Sequence, residues 1–219
     1  MSLTLYFHPL SSFCQKVLIA LYENDTPFKP HLVDLMDEKS AAAFRAIWPI
    51  GKFPVLRDEG RNRLVPETSV IVEYLDTHYP GRTRFMPADA DIASQMRVFD
   101  RLFDLYLNLQ VQKVVIDRLR PPGSKDPAGV ADARAMLGKA LGVAERQIAG
   151  RTWIVGEEFS MADCAAAPAL FYADKIAPFA ASHPQTHAYL QRLMQRPSYA
   201  RALAEAKPYL HMFPQDDAA

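Results

Sequence analysis

The chain has little of what many function classes require. It carries two cysteines, Cys14 and Cys164, which can form neither a disulfide framework nor a four-cysteine zinc site. It has no excess of either charge, with Lys plus Arg at 25 and Asp plus Glu at 25. General nucleic-acid or anionic-membrane binding, which would show as basic excess or a basic block, is therefore not expected. No run reaches the ~18–20 apolar residues that span a bilayer. The most apolar stretch, Cys164 to Ala173, is bounded by Asp163 and Asp174 and interrupted by Pro168. The opening Met1-Ser2-Leu3-Thr4-Leu5 has no basic region followed by an apolar segment, so no secretory leader is expected. Repeats and low-complexity tracts are absent, and the tail Gln215 to Ala219 is polar and expected to fray.

What is present is a foldable chain. Its 219 residues, 49% apolar and 23% charged, exclude disorder and suffice for one large domain or two modest ones without staples. The pattern reads as a reduced, cytoplasmic protein.

Residues 1–80 alternate strand and helix signals. Leu3 to Phe7 shows period-2 alternation, and a helix starting near Ser11 or Ser12 carries Val17, Leu18, Ile19, Leu21 and Tyr22. His31 to Leu35 reads as a second strand, and Ala41 to Trp48 as a short helix closed by Pro49. Phe53 to Leu56 and Arg63 to Val65 flank a charged turn as a hairpin. Glu67 to Tyr79 follows as a helix with Val70, Ile71, Tyr74, Leu75 and His78 on one stripe. The order βαβαββα predicts a small α/β domain over 1–80. A linker over 81–88 leads to an all-helical domain over 89–219. There the helical signals cover Ile92–Leu119, Val130–Ile148, Ser160–Ile176, Pro184–Gln195 and Ser198–Ala206.

Three segments of the α/β half carry chemistry. The first is the turn from strand one into helix one, with Ser11 and Cys14 in an S-x-x-C spacing. A redox protein would carry C-x-x-C there; a hydroxyl in the first position excludes disulfide exchange within the motif. A serine there caps the helix, or it donates a hydrogen bond to a thiolate brought by a ligand. The second use is energetically sufficient. Lowering a thiol pKa from ~8.5 by about two units needs roughly 2.7 kcal/mol. One charge-assisted hydrogen bond of ~1.5–3 kcal/mol plus a helix N-terminus worth ~0.3–1 provides it. Cys14, one turn in, reads as a buried small residue.

In the second segment, Gly51-Lys52-Phe53-Pro54, a cis Phe53–Pro54 bond would present the Phe53 main chain to an extended peptide, as in strand addition. In the third, Pro66-Glu67-Thr68-Ser69, Thr68 or Ser69 caps the next helix. Alternatively, hydroxyl and N–H groups take a carboxylate while Glu67 takes an ammonium. Together the sharper readings describe a short peptide with a thiol, a strand-like backbone and an α-amino-acid head. Glutathione fits that description.

At these residues the chain resembles the soluble glutathione transferases over essentially its whole length. Ser11-Ser12-Phe13-Cys14-Gln15-Lys16-Val17 is similar to the S-x-x-C-x-x-V segment of the serine-type theta, delta and zeta classes. The resemblance implies a thioredoxin-like α/β domain followed by a helical bundle, and Ser11 as the group that meets the thiolate. Tyr6, near the position of the tyrosine-type classes, and Ser12 are its contenders. Phe53-Pro54 matches the family's cis-proline dipeptide, Glu67-Thr68 stands at its Glu-Ser pair, and Lys52 at a position that often meets the peptide's glycyl end. Phe13 stands where proline is often found, and Thr68 replaces serine.

In the helical half, Phe159 to Cys164 resembles the family's buried capping box and staple. Ser160 would be the cap, Asp163 would return a bond to it, and Phe159 would pack on Cys164. Phe99, Phe103 and Tyr106 either line a hydrophobic co-substrate pocket or belong to the core. The resemblance further implies a cytoplasmic homodimer that uses glutathione as co-substrate and no metal. His183 and His187 share an i, i+4 face without a third ligand, and Arg57, Arg61 and Arg63 read as a solvated turn. Conjugation of glutathione to an electrophilic hydrophobic molecule is the leading expectation. Isomerase, dehalogenase or peroxidase chemistry on the same fold, and a non-enzymatic adaptor, are the alternatives.

Overall fold

In the computed structural model, residues 2–214 are described. The α/β half comprises β1 (Leu3–Phe7), α1 (Ser12–Glu23), β2 (Lys29–Leu32), α2 (Glu38–Ile47), β3 (Val55–Asp58), β4 (Arg63–Pro66) and α3 (Thr68–His78). The helical half comprises α4 (Ala90–Arg101), a π segment (Leu102–Asn108), α5 (Leu109–Arg118), α6 (Pro127–Ile148), α7 (Met161–Ile176), α8 (Pro184–Gln195) and α9 (Pro197–Ala206). The tail beyond Pro214 lies outside the described residues.

The four strands form one mixed sheet in the order β2-β1-β3-β4, with β1 parallel to β2 and antiparallel to β3. On β1, Leu3, Leu5 and Phe7 are buried in the main core, whereas Tyr6 turns to the opposite face with Phe44, Val33 and Val55. This is the two-faced strand that period-2 alternation requires.

Helix α1 is buried almost throughout because it packs on α3 and also on α7 and α9 of the helical half. Helix α7 is apolar on every face from Cys164 to Ala173 and buried along nearly its whole length, as expected of a helix at the centre of a bundle. One hydrophobic core runs from β1 and α1 through α7 to Leu193 and Tyr199, so the two halves share it.

Two elements and one buried stripe differ most from the sequence expectation. β2 is Lys29–Leu32 rather than His31–Leu35. It is an edge strand whose four residues are all exposed, so hydrophobic alternation cannot mark it; its register is set by pairing Thr4 with Lys29. α2 begins at Glu38 because Asp37 caps it, accepting the Ser40 N–H at 2.9 Å; the polar first turn hides it from periodicity. On α3 the buried stripe is Ile71, Val72 and Leu75, and Val70 is 53% exposed.

The buried capping box is present. Asp163 accepts from the Ser160 N–H at 2.8 Å and the Ser160 hydroxyl at 2.9 Å, and also from the Ile154 N–H and the Tyr189 hydroxyl. The Phe159 ring lies edge-on to Trp153 at 5.2 Å and beneath the Arg196 guanidinium at 3.9 Å.

Candidate functional site

The turn after β1 is held from three directions. The Ser11 N–H donates to the His8 carbonyl at 3.0 Å, and the Gln15 amide donates to the Pro9 carbonyl at 2.9 Å. From α7, the Tyr172 hydroxyl donates to the Leu10 carbonyl at 2.6 Å. This fixes Ser11 as the N-cap of α1, where its Oγ accepts the Cys14 N–H at 3.4 Å. The Ser11 hydroxyl also interacts with the Cys14 thiol, and it stands at the α1 N-terminus, where unpaired N–H groups favour an anion.

Ser12 is committed elsewhere. It is buried and donates to the Asn108 side chain at 2.8 Å, tying α1 to the π segment. Tyr6 lies 4.7 Å from the His31 ring and near Phe44, on the α2 face of the sheet. Cys14 is fully buried, and desolvation pushes its thiol up to about 12.

In front of Ser11 lies a cavity of about 360 Å³. Ser11, Lys52, Phe53, Pro54, Glu67 and Thr68 all line it, so the structure brings these expected residues to one place. The Phe53–Pro54 peptide is cis. Thr68 is buried at the first turn of α3, and Glu67 just before it holds φ +71, a conformation that costs a non-glycine residue about 1–2 kcal/mol.

The opposite wall was not legible in the sequence. It is built by Arg101, Asp104, Leu105, Leu109 and Gln112, with Phe13, Leu35 and Trp48 completing the rim. Of the three aromatic candidates, Phe99 and Phe103 are core residues and Tyr106 is half exposed; none lines the cavity. The signal that could have found the wall is the Leu105, Leu109, Gln112 spacing of i, i+4, i+7.

Beneath this wall is a buried charge cluster. Lys16 Nζ on α1 donates to Asp100 at 2.6 Å, Asp104 at 2.8 Å and Ser69 at 2.9 Å. Arg101 donates to Asp100 at 2.6 Å, to Asp104 at 2.8 Å and to the Ser69 hydroxyl. Burial alone would raise the Asp100 pKa, but the Lys16 ammonium outweighs it and holds it low. Burial with Asp100 alongside leaves Asp104 raised despite Lys16, as two carboxylates sharing one ammonium require.

Family comparison decides what this constellation belongs to. Residues 5–83 match the family model "Glutathione S-transferase, N-terminal domain", and 104–197 match "Glutathione S-transferase, C-terminal domain". The chain belongs to the cytosolic glutathione S-transferase superfamily.

Relatives agree at low identity. A glutathione S-transferase-like protein, LUC7 of Fusarium sp, is 32% identical over 68% of this chain and 64% of its own length. FtsZ-localized protein A of Caulobacter vibrioides is 29% identical over 94% of this chain and 93% of that one. A glutathione S-transferase structure from Methylobacillus flagellatus with glutathione bound superposes with a TM-score of 0.84 at 25% identity, covering 92% of this chain and 98% of that one. Within this glutathione S-transferase fold, Ser11, Glu67 and the Phe53–Pro54 dipeptide share the one cavity. Among the described residues no cluster of three metal-ligating side chains occurs, and no helix is long and apolar enough to cross a membrane.

Proposed function

We propose that the chain is a glutathione transferase in which Ser11 stabilises the glutathione thiolate for attack on an electrophilic, hydrophobic co-substrate. The observation that carries this reading is the division of labour between adjacent serines. Ser11 lines the cavity at the N-terminus of α1, and Ser12 is buried and spent on Asn108. A hydroxyl at the α1 N-terminus adds its hydrogen bond to the helix dipole, and both favour the anion.

The tripeptide would lie along the other lining residues. Glu67, exposed at the rim, would take its α-ammonium; Thr68 and the N-terminus of α3 its α-carboxylate. The Phe53 main chain would pair with the peptide, and Lys52 would meet the glycyl carboxylate. The thiol proton passes to solvent as the thiolate forms, and the sulfur then bonds to the electrophilic carbon. The electron pair displaced there departs with a leaving group or moves into the adjoining π system, which takes a proton from solvent. A serine in this position supports conjugation or isomerisation, since a mixed disulfide with the enzyme would need a thiol there.

The same proposal divides the chain at residues 80 and 89 into a glutathione-binding domain and a helical domain with the co-substrate site. It includes a homodimeric, cytoplasmic state, to which the free thiols Cys14 and Cys164 and the exposed Val70 and Val98 lend support.

A titration with glutathione, followed near 240 nm where thiolates absorb, tests the reading. A bound thiolate band at pH 6.5–7 is the expected result; binding without ionisation would remove Ser11 from the chemistry. The relative named FtsZ-localized protein A favours a second reading, a binding protein on this fold. Absence of glutathione binding would select it.

A further inference from the structure

We propose that Gln112 is the specificity-determining residue of the co-substrate side, and that it selects neutral α,β-unsaturated carbonyl compounds. This rests on the transferase reading above.

Leu105, Leu109 and Gln112 face the cavity from the π segment and α5. The wall they form is docked against the thiolate position, because Asn108 accepts the Ser12 hydroxyl at 2.8 Å. Gln112 stands four residues beyond Asn108, one helical turn of about 5.4 Å along α5. It is half-buried, and among the described residues nothing takes its amide. The other polar groups on this wall are already engaged. Arg101 is bound to Asp100, Asp104 and Ser69, and Asp104 to Lys16 and Arg101.

The wall therefore offers Phe13, Leu105 and Leu109 to an apolar body and one neutral amide to one polar atom. An electrophile that expels a halide asks for stabilisation of the departing anion, and the cation on this wall is tied to two carboxylates. Conjugate addition asks for something else. The sulfur bonds to the β-carbon, the C=C π pair moves to the α-carbon and carbonyl, and charge builds on an oxygen three bonds beyond the carbon attacked. A proton from solvent, equal to the one lost by the thiol, completes the adduct at the α-carbon, with no leaving group and no further reactant. A neutral donor that lines the same cavity as Ser11, one turn beyond the Asn108 that holds Ser12, is placed to meet that oxygen, where it strengthens as the charge grows.

The test compares kcat/KM for (E)-4-phenylbut-3-en-2-one and for benzyl chloride in wild type, Gln112→Leu and Gln112→Glu, each preceded by the thiolate titration. Gln112→Glu keeps the shape and loses the donor; Gln112→Leu keeps the bulk without polarity. With the thiolate band present, the enone-to-chloride ratio is expected to fall about tenfold to a hundredfold in both variants, the scale for removing one donor from a developing oxyanion. A ratio that stays within about threefold in either variant, or a wild type that consumes the chloride but not the enone, overturns the assignment of Gln112 alone. A wild type without a thiolate band overturns the transferase reading, and this inference with it.

Discussion

The Tyr172 hydroxyl on α7 donates to the Leu10 carbonyl at 2.6 Å, one peptide before Ser11. The same oxygen accepts the Gln15 amide at 3.1 Å. The helical half thus sets the backbone from which Ser11 projects. Tyr172→Phe takes this donor from the part-buried Leu10 carbonyl and is expected to destabilise the fold by ~1–3 kcal/mol. It should also raise the pKa of bound glutathione, whereas a purely structural role would leave that pKa unmoved. Urea denaturation and the thiolate titration measure the two effects separately.

Replacing each serine in turn should give opposite signatures. Ser11→Ala is expected to return the bound thiol toward its ordinary pKa of ~8.5, cutting turnover at pH 6.5 by roughly a hundredfold. Ser12→Ala should lower stability by ~1 kcal/mol through loss of the Asn108 bond, with the thiolate band retained. The pH profile of kcat/KM for both variants decides between them.

Lys16 is buried and bridges Asp100 and Asp104, joining α1 to the helical half. Lys16→Met leaves two carboxylates buried without their ammonium and is expected to cost ~3–5 kcal/mol. The double variant Lys16→Met with Asp100→Asn should recover part of that loss. Coupling measured in a double-mutant cycle is the readout, and strict additivity would contradict the pairing.

Glu23 provides an acid-sensitive joint. Burial would raise its pKa, but Arg196, Ser198 and Thr83 hold the carboxylate and leave it lowered. A folded pKa below the unfolded value of ~4.3 stabilises the protein fully above that value. The contribution disappears as pH falls through the folded pKa. Glu23→Gln should therefore lower Tm at pH 7 and converge with wild type in strong acid.

Both thiols should be silent. Cys14 and Cys164 are fully buried, and burial pushes both thiols up, Cys14 to about 12. Ellman's reagent at pH 8 is expected to find no reactive thiol in the folded chain and two after denaturation. Fast reaction in the native state would contradict that burial.

The parts of the molecule legible in the sequence are those in which local pattern and tertiary demand coincide. β1 alternates because one face packs on α1, and Ser11 caps because the chain turns there. The Ser160–Asp163 box satisfies its own buried donors within four residues. The parts that were hidden depend on partners distant in sequence. β2 takes its register from β1, so its exposed residues carry no signal. On α3, Val70 and Val72 are chemically equal, and only packing decides which is buried. Phe99 and Phe103 have helical spacing, but that spacing serves the core rather than the cavity. Arg101, Asp104 and Gln112 reach the site because a helical wall docks on a loop some hundred residues earlier, a relationship no local window contains.

The π segment Leu102–Asn108 gives that wall a property of its own. Each residue of a helix advances its direction by about 100°. Deleting one residue from the segment would swing Leu109 and Gln112 away from the cavity and bring their neighbours round, with β3, α3 and the α1 N-terminus left where they are. On the transferase reading proposed above, the choice of electrophile is a phase angle, set by the length of the chain at one point. On the same reading, a single-codon insertion or deletion there would retune the enzyme with every residue lining the α/β side of the cavity unchanged, provided that the Lys16–Asp104 and Ser12–Asn108 bonds re-form.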